Sequence, residues 1–100
     1  MELEESYDFD GILVNEAEKL VIRELGKQLE PYSKGPICLC EDCVMDMAAM
    51  ALNAVKPLYR VSLLGTMYAS RAMDEADYAK SVRAAVGEAI EKVRKNPSHD

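Results

Sequence analysis

The feature that most constrains this chain is the run from Cys38 to Tyr59, CLCEDCVMDMAAMALNAVKPLY. It places all three cysteines within six positions and continues directly into the most apolar helical segment of the sequence. Thiolates hold zinc at about 2.3 Å in a tetrahedron, so three sulfurs converging on one ion need a short loop that turns its side chains inward. The spacing C-x-C-x-x-C meets that need. Cys38 and Cys40 project from an extended segment after Pro36, and Cys43 falls in the first helical turn, close to an N-cap at Cys40. The positive end of the helix dipole suits three thiolates around a divalent ion and helps those thiols to deprotonate.

Spacing alone leaves the metal and its fourth ligand open. Zinc is the first expectation and an iron–sulfur cluster the second. His99, the only histidine, lies just beyond Pro97 and is the candidate fourth ligand, in competition with Glu41, Asp42 and a water. The competing reading is that the cysteines simply fill core positions, because free cysteine is among the most buried residue types. Three clustered thiols in an otherwise cysteine-free chain favour ligation, and an odd count closes no disulfide framework.

Helical periodicity accounts for most of the remaining chain. The central helix is expected over 41–56, with Val44, Met47, Ala48, Ala51, Leu52 and Val55 on one face. Met45, Ala49 and Ala54 extend the apolar surface, which predicts a helix buried almost all round and broken only by Asp46 and Asn53. Pro57 stops it. A first helix is expected over 12–30, with Leu13, Ala17, Leu20, Val21, Leu25 and Leu29 facing the core and Asp10 as N-cap. Its other face, Glu16, Lys19, Arg23 and Lys27, reads as a solvated stripe of ion pairs, and Gly26 as a point of close approach.

From Thr66 to Asn96 the pattern is helical again, with Tyr68, Ala72, Tyr78, Val82, Ala85, Val86, Ala89, Ile90 and Val93 as the core stripe. Asp74, Glu75 and Asp77 resemble a second helix start, leaving one long helix or a break near Met73. Residues 57–64, PLYRVSLL, favour an extended conformation. One extended segment has no partner in a helical monomer, which leaves pairing with a symmetry mate across a dimer, or irregular structure. The domain plan is an acidic, flexible lead-in over 1–11 and a single helical domain over 12–100. The fold class is all-α, with three to four helices and a cysteine-rich loop at the start of the central one.

The run Cys38-x-Cys40-x-x-Cys43-x-x-Asp46, followed by Ala49, Ala51-Leu52-Asn53 and Pro57-x-Tyr59-x-Val61-Ser62, resembles the signature of the late competence development protein ComFB family. Asn15, Glu18 and Val21 resemble that family's N-terminal helix, so the likeness spans most of the chain. The resemblance implies a small cytoplasmic helical protein that forms a symmetric dimer with one structural zinc per subunit. It also implies a receptor for cyclic dinucleotides, cyclic di-GMP chief among them, with an unidentified protein effector downstream. This chain departs from the pattern in two places: a fourth cysteine found near the C-terminus in a family member is absent, leaving His99 as its candidate stand-in, and Leu58 precedes the motif tyrosine where a basic residue is common, with Arg60 just beyond it.

A cyclic dinucleotide asks for arginines that fork onto guanine or phosphate and for planar groups that stack on bases. Tyr59, Arg60, Arg71 and Arg83 are the candidates, with Tyr68 beside them; the alternative is packed tyrosines and solvated arginines. Catalysis has little to draw on, since the chain has no Ser-His-Asp set, H-E-x-x-H, P-loop or G-x-G-x-x-G. A net charge of −6 disfavours direct binding of nucleic acid or an anionic membrane. No apolar run is long enough to span a bilayer and the N-terminus is acidic, so a cytoplasmic location is expected.

Overall fold

The computed structural model describes residues 1–61, 71 and 74–97. The described chain is mostly helical. Two one-turn helices, α1 (Leu3–Ser6) and α2 (Phe9–Ile12), lead into a short strand β1 (Val14–Asn15). The three long helices follow: α3 (Ala17–Leu29), α4 (Glu41–Ala54) and α5 (Ala76–Lys95), with strand β2 (Tyr59–Arg60) after α4.

The three long helices pack on one another, α4 against α5 most extensively and α3 against both. Val21 and Leu25 of α3, Met47 and Ala51 of α4, and Val82, Val86 and Val93 of α5 are buried in a single core. These are the periodic positions expected from the sequence, because a stripe of apolar side chains every three to four residues has nowhere else to be buried. Gln28 bridges α3 to α5, its Nε2 donating to the backbone carbonyl of Arg83 at 3.0 Å and to Glu24 Oε2 at 2.9 Å. Tyr78 ties α5 to the end of α4, its hydroxyl donating to the carbonyl of Lys56 at 2.9 Å.

Two expectations are corrected at the helix boundaries, and one alternative left open is decided. The first long helix begins at Ala17, not at residue 12: Asn15 Oδ1 accepts from the Ala17 amide at 3.1 Å, so Asn15, and not Asp10, organises the start. Asp8 caps the short α2 instead, accepting from Gly11 N at 2.9 Å, and Leu13 is exposed. The central helix ends at Ala54, with Val55 already extended, two residues earlier than Pro57 alone suggests. Proline also excludes helical geometry at the residue before it. The last helix starts afresh at Ala76 after an extended Glu75, which decides for a break in that region. Tyr68 and Ala72 of the expected stripe lie outside the described residues.

The extended segment finds its partner inside the chain. β2 pairs antiparallel with β1, Val14 opposite Arg60 and Asn15 opposite Tyr59. Pairing with a symmetry mate is not needed, because the residues read as the first turn of a helix are themselves extended. The central helix is also less enclosed than its composition suggests: Met45 is 62% exposed, and Ala49, Met50 and Ala54 are exposed too. Within one chain α3 and α5 cover only one side of it.

Candidate metal centre

The turn after α3 sets up the thiol loop. A single 3-10 turn (Glu30–Tyr32) ends α3, and Gly35 takes φ +97°, a left-handed conformation that side chains disfavour, before Pro36. Ile37 then enters the core, an anchor that sequence reasoning missed because a lone isoleucine in a loop carries no periodic signal. It holds the backbone immediately ahead of Cys38.

Cys40 is the N-cap of α4. Its backbone is extended, and its Sγ accepts from the Cys43 amide at 3.4 Å, as the spacing predicted. Cys38 and Cys40 are half-buried and pack against the core, while Cys43, in the first turn, is 1% exposed. The three sulfurs lie within 4.8 Å of one another. A tetrahedral zinc with bonds of about 2.3 Å spaces its sulfurs by about 3.8 Å, so modest side-chain rotation closes the set around one ion.

The local electrostatics favour ligation. Hydrogen bonding from the Cys40 backbone, and next from its side chain, pulls the Cys38 thiol below its usual range; burial opposes this, and Cys43 adds a smaller downward pull. The amides at the mouth of α4 supply the same bias toward thiolate. Among the described residues only these three cysteines form the cluster: Glu41 and Asp42 are exposed on the first turn and do not join it. His99 lies outside the described residues.

The candidate ligand contacts are distributed differently. Tyr59 is 64% exposed on β2, beside Arg60. Arg60 is half-buried and its Nε lies 2.6 Å from Glu16 Oε1. Arg83 is exposed on α5 and Arg71 is exposed ahead of it. Tyr59 and Arg60 are consecutive on β2, where neighbouring side chains point to opposite faces, while Arg71 and Arg83 belong to the following part of the chain.

Asn15 and Glu16 hold the β1–β2 strand pair, a role the sequence reading did not give them. Asn15 Oδ1 accepts a second bond, from Leu58 N at 2.8 Å, and the Glu16 amide donates to the Leu58 carbonyl at 2.8 Å. Glu16 is 7% exposed, and Lys19 sits 3.6 Å from its other oxygen. It is thus a buried, paired carboxylate and not part of a solvated stripe. Asparagine ahead of a helix is the signal that was available; the distant arginine that pairs Glu16 was not.

A family model described as late competence development protein ComFB matches residues 14–97. A solved structure of the late competence protein ComFB from Bacillus subtilis is similar over 87% of this chain and 93% of that one, with 25% sequence identity and a TM-score of 0.68. No curated protein sequence matches significantly.

Proposed function

The chain belongs to the late competence development protein ComFB family, and on that premise we propose that it is a non-catalytic signalling protein, a zinc-stapled helical dimer that receives a cyclic dinucleotide. The observation that carries the structural half is the convergence of the Cys38, Cys40 and Cys43 sulfurs within 4.8 Å at the mouth of α4. Zinc is the ion this donor set suits best, since soft thiolates in a closed site are the usual structural zinc ligands. Bound there, it ties the loop after α3 to the first turn of α4. His99 or a water would supply the fourth ligand.

Cyclic di-GMP, the ligand class that family membership suggests, is assigned to Tyr59 and Arg60, with Arg71 and Arg83 contributing. The exposed Tyr59 ring offers a stacking surface and the Arg60 guanidinium a phosphate fork, each from its own face of β2. A two-fold symmetric ligand is matched by a groove shared between two subunits. The bound state is then read by a protein effector.

A second reading keeps the zinc staple and the protein partner and drops the nucleotide. One observation favours it: the Arg60 guanidinium is already engaged by Glu16 at 2.6 Å, and a phosphate has to compete for it. Calorimetric titration of the zinc-loaded protein at about 50 μM, a concentration suited to micromolar affinity, separates the two. Heat with cyclic di-GMP that is lost in Arg60→Ala supports the receptor. No heat with either cyclic di-GMP or cyclic di-AMP leaves the interaction module.

A further inference from the structure

We propose that the N-terminal segment, residues 3–13, together with Val61, is a docking surface for a basic amphipathic helix of another protein. Neither α1 nor α2 contains a buried residue. Yet Leu3, Tyr7, Phe9, Ile12, Leu13 and Val61 are all large, apolar and at least 42% exposed. They line one open groove of about 450 Å³, in which Asp8 is the only charged liner among the described residues and turns its carboxylate to the Gly11 amide. Tyr7 and Phe9 meet edge to face with ring centroids 6.3 Å apart, giving the groove an aromatic wall.

Isolated one-turn helices are unstable in water, and contiguous apolar surface of this kind marks an interaction site. Charge selects the occupant. Glu2, Glu4, Glu5, Asp8 and Asp10 accompany the apolar residues, and the first basic side chain in the chain is Lys19. Arg60, next to Val61, is neutralised by Glu16. An apolar groove set among carboxylates attracts a helix with lysines and arginines beside an apolar stripe, its anchors spaced at i, i+3, i+4 and i+7. A second copy of this chain brings the same carboxylates against their own like, and an anionic lipid surface is repelled in the same way. Apart from Val61, the surface lies ahead of residues 14–97.

The test uses the full-length, zinc-loaded protein and a labelled synthetic peptide of about 18 residues with leucines at helical spacing and lysines elsewhere. Its control is a peptide of the same composition with the leucines scattered. Fluorescence anisotropy should show binding of the amphipathic peptide only, weakening as salt rises, with amide NMR shifts confined to residues 3–13 and the neighbourhood of Val61. The double variant Phe9→Ser, Ile12→Ser should weaken binding at least tenfold while leaving the circular dichroism of the long helices unchanged. The charge variant Glu4→Gln, Glu5→Gln, Asp10→Asn, which leaves the apolar wall intact, should weaken it as well. Any of four results overturns the proposal: no binding, equal binding of the scattered peptide, binding indifferent to the groove variant, or sedimentation showing that the groove variant dissociates a dimer.

Discussion

Arg60 and Glu16 are 44 residues apart and share a 2.6 Å ion pair that locks β2 to the turn opening α3. Both side chains are largely withdrawn from water, so removing one leaves the other charged and poorly solvated. Arg60→Met should cost about 2 kcal/mol in urea denaturation, within the range for hydrogen bonds to charged groups. An unchanged denaturation midpoint would show the pair to be ornamental.

Acid dependence should follow from the same pair. The hydrogen bond from Arg60 pulls the Glu16 carboxyl below its usual value of 4.5, against an opposing push from burial. A depressed carboxylate contributes stability that is fully present above its unfolded value and disappears as pH falls through the folded one. The stability gap between wild type and Arg60→Met should therefore hold above about pH 4.5 and shrink below it. A gap constant down to full protonation would refute the assignment.

Asn15 accepts from both Ala17 N and Leu58 N through one oxygen. Asn15→Ala strands two donors and should destabilise by about 1–3 kcal/mol, whereas Asn15→Asp keeps the acceptor and should cost less. Amide hydrogen exchange gives the local readout: protection at Leu58 should fall in the alanine variant. If protection there is unchanged, the bond contributes nothing in solution.

Each of Cys38→Ser, Cys40→Ser and Cys43→Ser should drop bound zinc well below about one per chain, measured on the purified protein by elemental analysis. Chelation of the wild type should lower the melting temperature by more than about 10 °C, as expected if several kcal/mol of metal binding support a domain of this size. Much of the helical signal should persist, because the α3, α4 and α5 core does not depend on the thiols alone. Full zinc content in all three variants would end the case for this site.

Gly26 lies in the last turn of α3, and among the described residues nothing comes within 4 Å of where its Cβ would be. The expected close neighbour is not found there among the described residues. Gly26→Ala should thus stabilise by about 1 kcal/mol through helix propensity alone. Destabilisation in thermal melts would mean that something packs on that face after all.

What could be read from sequence was what depends on neighbours in sequence. Val82, Val86 and Val93 advertise their buried face by spacing, and the thiols advertise theirs by crowding into six positions. Cys40 could even be placed as a cap from Cys43 three residues on. The errors arose where distant residues decide. Ile12, Leu13 and Val14 continue the helical pattern of α3, yet two are exposed and the third is in a strand, because Leu58 and Arg60 arrive from far along the chain to engage Asn15 and Glu16. Glu16 looked solvated for the same reason.

The contacts at Asn15 and Leu58 turn the stretch between them into a closed circuit that carries α3, the thiol loop and α4. A ring of this kind has no loose end at which strain can dissipate. A nick between Ser33 and Pro36 would leave two pieces still clasped at the far side, and a pull on the thiol loop would be felt at the clasp.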